Sequence, residues 1–283
     1  MTFNDNAKID SSRTRRRGRT GGIVAGGGVV GVVALFLLSQ LLGVDLTGLA
    51  GGGGGDASDE AIAGCETGAD ANANLDCLVA SAGDSLDTYW AGQVSDYRPT
   101  NVILFTDQTS TGCGGATSAV GPFYCPADET IYIDTAFYEE LRTKYGSSGG
   151  PLAEMYVLAH EWGHHIQNIS GTMNGLDTQT TGPESDGVRL ETQADCYAGA
   201  WAGEASTVAD DSGTPFLEPI TSAQLADALS AAAAVGDDRI QESTSGQVNP
   251  ESWTPGSAEQ RQKWFTAGFE NGPSACDTFS GSL

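Results

Sequence analysis

Residues 21–44 run for 24 positions without a charged side chain, and only Ser39 and Gln40 break their apolar character. A helix rising about 1.5 Å per residue would carry such a run across the roughly 30 Å hydrocarbon core of a bilayer. The run divides the chain. Residues 1–20 read as an Arg-rich arm, 21–44 as one transmembrane helix, and 45–60, with five consecutive glycines, as a flexible linker. The folded part is expected over 61–283. Six basic residues, Lys8, Arg13, Arg15, Arg16, Arg17 and Arg19, precede the run, and acidic residues dominate after it. The positive-inside rule then places the arm in the cytoplasm and the domain outside, as a single-pass protein. The alternative is a cleaved signal peptide, with "GLA" at 48–50 offering small residues to a peptidase and a secreted product. The length of the run favours an anchor. Gly27 and Gly31 form a Gly-x-x-x-Gly pair, which in so glycine-rich a run carries little weight for helix pairing.

The chain carries a net charge of −24. So acidic a surface repels phosphates, which excludes nucleic acid as a partner. All six cysteines, Cys65, Cys77, Cys113, Cys125, Cys196 and Cys276, lie beyond the apolar run. An oxidising compartment would pair them. Six cysteines allow about 15 pairings, and spacing alone does not choose. Economy suggests Cys65–Cys77, Cys113–Cys125 and Cys196–Cys276. No Cys-x-x-Cys occurs, which argues against a cysteine-bound zinc cluster.

Apolar periodicity predicts helices over 75–94, from Pro151 to Gly171, over 185–206, over 221–236 and over 257–272. "NVILF" (101–105) and "TIYID" (130–134) read as strands around a Gly- and Pro-punctuated excursion. The expected class is α+β, mostly helical, with a small sheet.

All three histidines of the chain fall in "LAHEWGHHIQN", residues 158–168. His160 and His164 are four apart on a helix, so they share a face and can offer two imidazoles to one metal ion. Zinc suits nitrogen donors in a tetrahedron, and a catalytic site wants three protein ligands with the fourth place open. Glu161 stands beside that face, where a general base takes a proton from water. His165 points about 100° round the helix, so the third ligand must be a carboxylate or thiolate. Glu191 on the helix over 185–206 is the best candidate. Asp195, one turn later, could accept a hydrogen bond from the non-ligating nitrogen of a bound histidine.

"HEWGHHIQN" and "RLETQADCYAGAWAG" resemble stretches of the bacterial neutral zinc metallopeptidase family, as do "GPFYCPADETIYID", "GDDRIQ", "GSAEQRQKWF" and "CDTF". The resemblance spans roughly 61–283, and the Arg-rich head and anchor match the family's layout. The His-Glu-x-x-His and Glu-x-x-x-Asp pair is similar to that of the gluzincin peptidases, thermolysin among them. It implies a zincin-like fold and one zinc ion per chain. His160, His164 and Glu191 would be its ligands, Glu161 the base, and Asp195 the orienting carboxylate. An edge strand, "TIYID" or "GPFYC", would hold a peptide or protein substrate. The chain departs from the family at Thr254-Pro255-Gly256, where relatives often have Thr-His-Gly. Thermolysin-like enzymes stabilise the oxyanion with a histidine, and none remains here for it. Tyr124, Tyr132, Tyr197 and Arg189 are the nearest substitutes in sequence. Two rival readings stay open: a catalytically inert zinc-stabilised module binding an envelope partner, and an amidase acting on cell-wall peptides.

Overall fold

Local capping signals set the helices that carry the site. The computed structural model describes residues 2–18, 59–245 and 248–283; the apolar run and its glycine pair lie outside them. Helix α1 (Gly68–Ala73) starts with a Thr67/Asp70 capping box. In α2 (Leu75–Gln93) the Asn74 side chain accepts from the first-turn amides. After α3 (Phe137–Thr143), Pro151 opens α4 (Pro151–Ile169), where its missing N–H costs nothing. Ser185 caps α5 (Asp186–Glu204). Helix α6 (Ser222–Ala234) has the Thr221/Gln224 box, and α8 (Ala258–Asn271) has a matching Ser257/Gln260 box. Between them α7 (Asp237–Ser245) is a short helix of its own, which the reading over 221–236 does not contain. Among the described residues, no helix is long and apolar enough to cross a membrane.

The sheet has the order β2-β1-β3-β7-β6, built from β1 (Thr14–Arg17), β2 (Asp59–Ala61), β3 (Asn101–Phe105), β6 (Phe123–Cys125) and β7 (Thr130–Asp134). Strands β1, β3 and β7 run parallel, while β2 and β6 are antiparallel edges. A separate hairpin joins β4 (Gln108–Thr111) and β5 (Gly114–Thr117). The two strands read from sequence are buried at every position but Asn101 because the sheet is covered on both faces. Val102, Leu104, Ile131 and Ile133 enter the main core with α2 and α4. Ile103, Phe105 and Tyr132 join a second cluster with Ala116, Val120, Phe123 and Cys125.

Residues 2–18 pack against the body that the structure describes from residue 59 onward. Phe3 and Ala7 are fully buried in the core. Asn4 N–H donates to the Phe216 carbonyl, and Gly68 N–H to that of Ala7. The N-terminal segment passes so close to α1 that a Cβ on Gly68 would lie 1.9 Å from the Asn4 oxygen. Strand β1 then inserts between β2 and β3. Its residues, Thr-Arg-Arg-Arg, carry no apolar alternation, which is why the pattern hides it. Acidic partners hold it instead: Arg16 pairs with Asp76 and Arg17 with Asp59.

The structure pairs Cys65 with Cys77, Cys113 with Cys125 and Cys196 with Cys276, with Cα separations of 5.0, 5.9 and 5.5 Å. The last bridge fastens α5 to the C-terminal segment.

Candidate metal centre

Helices α4 and α5 meet face to face, and a glycine sets how near they come. A Cβ on Gly163 would lie 2.8 Å from the Ala194 Cα, closer than real packing allows. Gly163 sits between the two candidate ligands of α4, so the close approach brings the imidazoles to α5. On α5, Gly268 of α8 plays the same part from the other side, where a Cβ would be 1.9 Å from the Cys196 oxygen.

His160 Nε2 lies 3.2 Å from one Glu191 carboxylate oxygen, and His164 Nε2 lies 3.5 Å from the other. A tetrahedron with metal–donor bonds of about 2.0–2.1 Å has edges of about 3.3 Å. The protonation pattern makes the same point. His160 Nδ1 faces Asp195 Oδ1 at 2.9 Å, so it carries the proton and donates. His164 Nδ1 faces Gln167 Oε1 at 2.9 Å. That amide is turned this way because its Nε2 donates to the Leu190 carbonyl at 2.7 Å. With the rings neutral, both Nε2 lone pairs and both Glu191 oxygens then converge. Acceptors at these distances repel unless a cation stands between them, a metal ion or a proton held on His160. The three side chains fit a metal ion, with all ligand atoms within 4.8 Å of one another.

The electrostatics agree. Burial alone would raise the Glu191 carboxyl, but the His164 and His160 charges and Arg261 outweigh it and hold it at about 2. Asp195, also buried, is held at about 2 by Arg261 and His160. Burial disfavours a charged His160, yet Asp195 and Glu191 lift it to about 10. A site that draws a proton this strongly is negative, which is what a divalent cation needs. Glu161 is pushed up by burial, against the opposing pull of His164 and His160.

Asp195 is the hub of a buried network that sequence reasoning found only in part. Its Oδ1 accepts from His160 Nδ1, from the Tyr156 hydroxyl and from Arg261 Nη2, the last at 3.0 Å. Its Oδ2 accepts from Arg261 Nε at 2.7 Å. Tyr156, Gln167 and Arg261 were not foreseen. The first two stand four before His160 and three after His164, on the ligand face of α4, so helical spacing alone could have flagged them. Arg261 comes from α8, 66 positions from Asp195, and nothing local marks it.

His165 is fully buried and belongs to neither the surface nor the ligand set. Its Nε2–H donates to the Arg98 carbonyl at 2.6 Å, and its Nδ1 accepts from the Tyr124 hydroxyl at 3.1 Å. Burial, the largest influence, lowers its pKa, and the ring stays neutral. Of the four candidates for an oxyanion donor, Tyr124 alone borders the centre, and its hydroxyl is engaged by His165 and Asn168. Tyr132 bonds Asp128 in the second cluster, Tyr197 packs edge-on against Trp90, and Arg189 holds Glu184 and the Thr278 and Gly281 carbonyls.

Two hollows flank the donor atoms. One, of about 170 Å³, is lined by Phe123, Tyr124, Met173, Leu176 and Leu190 beside Glu161, His164 and Glu191. The other, of about 100 Å³, has Phe137, Val157, Val235 and Pro255 beside His160, Glu161, Glu191 and Arg261. Glu161 and Glu191 border both. Pro255 thus stands in the wall of the centre.

Two histidines and a carboxylate on facing helices, with a second carboxylate between the hollows, form a centre that could hold a metal ion. Over residues 3–279 the sequence matches the family described as "Putative neutral zinc metallopeptidase", and the chain belongs to that family. It is similar along nearly its whole length to uncharacterized proteins. One from Mycobacterium tuberculosis (strain ATCC 25618 / H37Rv) is 50% identical, over 99% of this chain and 98% of that protein. Another, Escherichia coli (strain K12) YpfJ, is 36% identical over 95% of each chain. No solved structure matches this chain.

Proposed function

We propose that the chain is a zinc metallopeptidase that holds one zinc ion on His160, His164 and Glu191 and cleaves peptide bonds with Glu161 as general base. Zinc in that position supplies Lewis acidity to water and to the scissile carbonyl. Glu161 takes the proton of the attacking water and returns it to the leaving amine. Asp195 keeps the proton of His160 on Nδ1 and so keeps Nε2 turned to the ion. The observation that carries the reading is the place of Glu161. It borders the donor atoms and both hollows, where a purely structural zinc site has no use for a carboxylate. Strand β6 supports a peptide substrate. It is an antiparallel edge of the sheet, it lies beside α4, and its Phe123 and Tyr124 line the larger hollow. An extended peptide can add to such an edge and lay side chains into the hollows. The zincin-like architecture is proposed on the same ground. Attachment to a membrane through 21–44 and a place outside the cytoplasm are also proposed. The apolar run supports the first, and the three bonded cysteine pairs support the second.

The test is metal analysis with a broad peptide library on the full chain. Wild type should carry close to one zinc and cleave a subset of peptides. His160→Ala and His164→Ala should each lose stoichiometric zinc and all cleavage. Full zinc in either variant would remove that histidine from the ligand set. Bound zinc with no cleavage of any peptide would favour the inert module, and cleavage confined to cell-wall peptides the amidase.

The absence of a histidine at position 255 makes a separate prediction. Pro255→His should raise kcat with little change in KM, towards the roughly 10²–10³-fold that one oxyanion donor is worth. An unchanged kcat would show that the centre already has its donor elsewhere.

A further inference from the structure

The stretch 160–168 holds two interleaved patterns, one residue out of step. His160, His164 and Gln167 are spaced four and three, and so are Glu161, His165 and Asn168. On a helix each set makes a stripe, and the two stripes lie about 100° apart. The first stripe is spent on α5. His160 and His164 face Glu191, His160 also meets Asp195, and Gln167 donates to the Leu190 carbonyl. The second stripe is spent on one residue of β6, Tyr124.

All three members of the second stripe reach it. The Tyr124 main-chain N–H donates to the Glu161 carboxylate. Asn168 Nδ2 donates to the Tyr124 hydroxyl at 2.9 Å, and that hydroxyl lies 3.1 Å from His165 Nδ1. The far side of the ring fixes the direction of this last bond. His165 Nε2 lies 2.6 Å from the Arg98 carbonyl, which only accepts, so Nε2 carries the ring proton. Nδ1 is left to accept, and the Tyr124 hydroxyl gives its proton to that bond. The chain of hydrogen bonds thus runs from Asn168 to Tyr124 to His165 to Arg98, each donor matched to an acceptor. His165 is 0% exposed and Tyr124 5%, so the two rings have almost no water to turn to instead.

The grip matters because β6 is short. It spans three residues and pairs with β7 along one side only. The Cys113–Cys125 bridge holds its end. Its middle is held by α4 through Tyr124, whose side chain also lines the larger hollow beside Glu161, His164 and Glu191. With its proton engaged by His165, the hydroxyl is not free to stabilise an oxyanion.

We infer, on the peptidase reading above, that His165 and Asn168 are positioning residues: through the Tyr124 hydroxyl they fix the edge strand β6 and the wall of the larger hollow against the metal helix. Neither touches the ion or the substrate. The test uses the zinc-loaded full chain and a peptide that wild type cleaves, with Tyr124→Phe, Asn168→Ala and the two combined. Each single variant should keep its zinc and a melting temperature within about 4 °C of wild type. Its kcat per bound zinc should fall about ten- to hundredfold, the scale of a misplacement near 1 Å, with a smaller change in KM. The double variant should be no slower than the slower single, because Asn168 has nothing to hold once the hydroxyl is gone. His165→Asn keeps an acceptor near the place of Nδ1 and should be faster than His165→Leu, which keeps none. Wild-type rates per bound zinc in Asn168→Ala, with a loss confined to Tyr124→Phe, would make the hydroxyl a direct donor and overturn the inference. Losses that multiply in the double variant would overturn it too, as would His165→Asn no faster than His165→Leu. A wild type that binds zinc and cleaves no peptide would remove the peptidase reading itself, and the positioning role with it.

Discussion

Glu161→Gln should retain zinc close to the wild-type content while turnover falls by about two to four orders of magnitude, the usual range for loss of a general base. The substitution keeps shape and leaves His160, His164 and Glu191 in place. It removes the carboxylate that borders both hollows without being one of the three ligand candidates. Glu191→Gln should fail in the opposite way. It exchanges an ionised donor, held at about 2 by the neighbouring histidines and Arg261 against the cost of burial, for a neutral amide. Zinc affinity itself should then drop, and activity should return in part at high zinc. Asp195→Asn touches neither ion nor substrate and should cost about 10–100-fold in metal affinity or activity. Zinc titrations and rates on the same three variants separate the roles. Loss of zinc from Glu161→Gln with retention in Glu191→Gln would exchange the two assignments.

What could be read ahead of the structure was what helical periodicity encodes. The α4 pattern is local: Pro151 begins it, the apolar stripe of Leu158, Trp162 and Ile166 buries it, and His160 and His164 share the remaining face. Glu191 and Asp195 follow from the same spacing on α5. Gly163 is the instructive residue of the motif. In sequence it is an unremarked filler between ligands, and only the packed helices show that a side chain there would strike Ala194. Strand β6 is three residues long, too short for alternation to announce it, and its identity as the edge depends on pairing with β7. Strand β1 was hidden for a different reason. Three successive arginines are read as a solvated, charged flank because unpaired charge avoids a sheet. Here the partners Asp59 and Asp76 lie 42 and 60 positions away, beyond the reach of any local pattern. The apolar run next to them then made a membrane arm the natural reading.

Arg261 was invisible for the same reason as β1, and it should matter more to stability than any other charged residue near the centre. Its side chain is 4% exposed and that of Asp195 is 0%. Two guanidinium nitrogens grip the two carboxylate oxygens, and a third donates to the Val235 carbonyl. Arg261→Met would keep the length of the side chain and leave Asp195 buried with only Tyr156 and His160 as donors. Breaking a buried pair from one side costs about 3–5 kcal/mol, enough to bring a domain of ordinary stability near its unfolding threshold. In wild type Asp195 is held at about 2, below its unfolded value of about 3.9. A depressed carboxylate stabilises above its unfolded pKa, so this contribution is complete above about pH 4 and is lost as pH falls towards 2. Arg261→Met should flatten that part of the pH dependence. Arg261→Lys, with a charge but no fork, should fall between the two. Zinc binding should behave differently from stability. The guanidinium is a positive charge close to a cation site, and its removal leaves all three ligands intact. The variant should therefore be strongly destabilised without zinc, and saturating zinc should recover part of the loss by mass action. Pairing Arg261→Met with Asp195→Asn should cost less than the sum of the two, because neither buried charge is then left alone. Urea titrations with and without zinc measure all of this. A loss below about 1 kcal/mol for Arg261→Met, in the range of an exposed pair, would mean that the network around Asp195 is solvated and does not hold His160 as the structure shows.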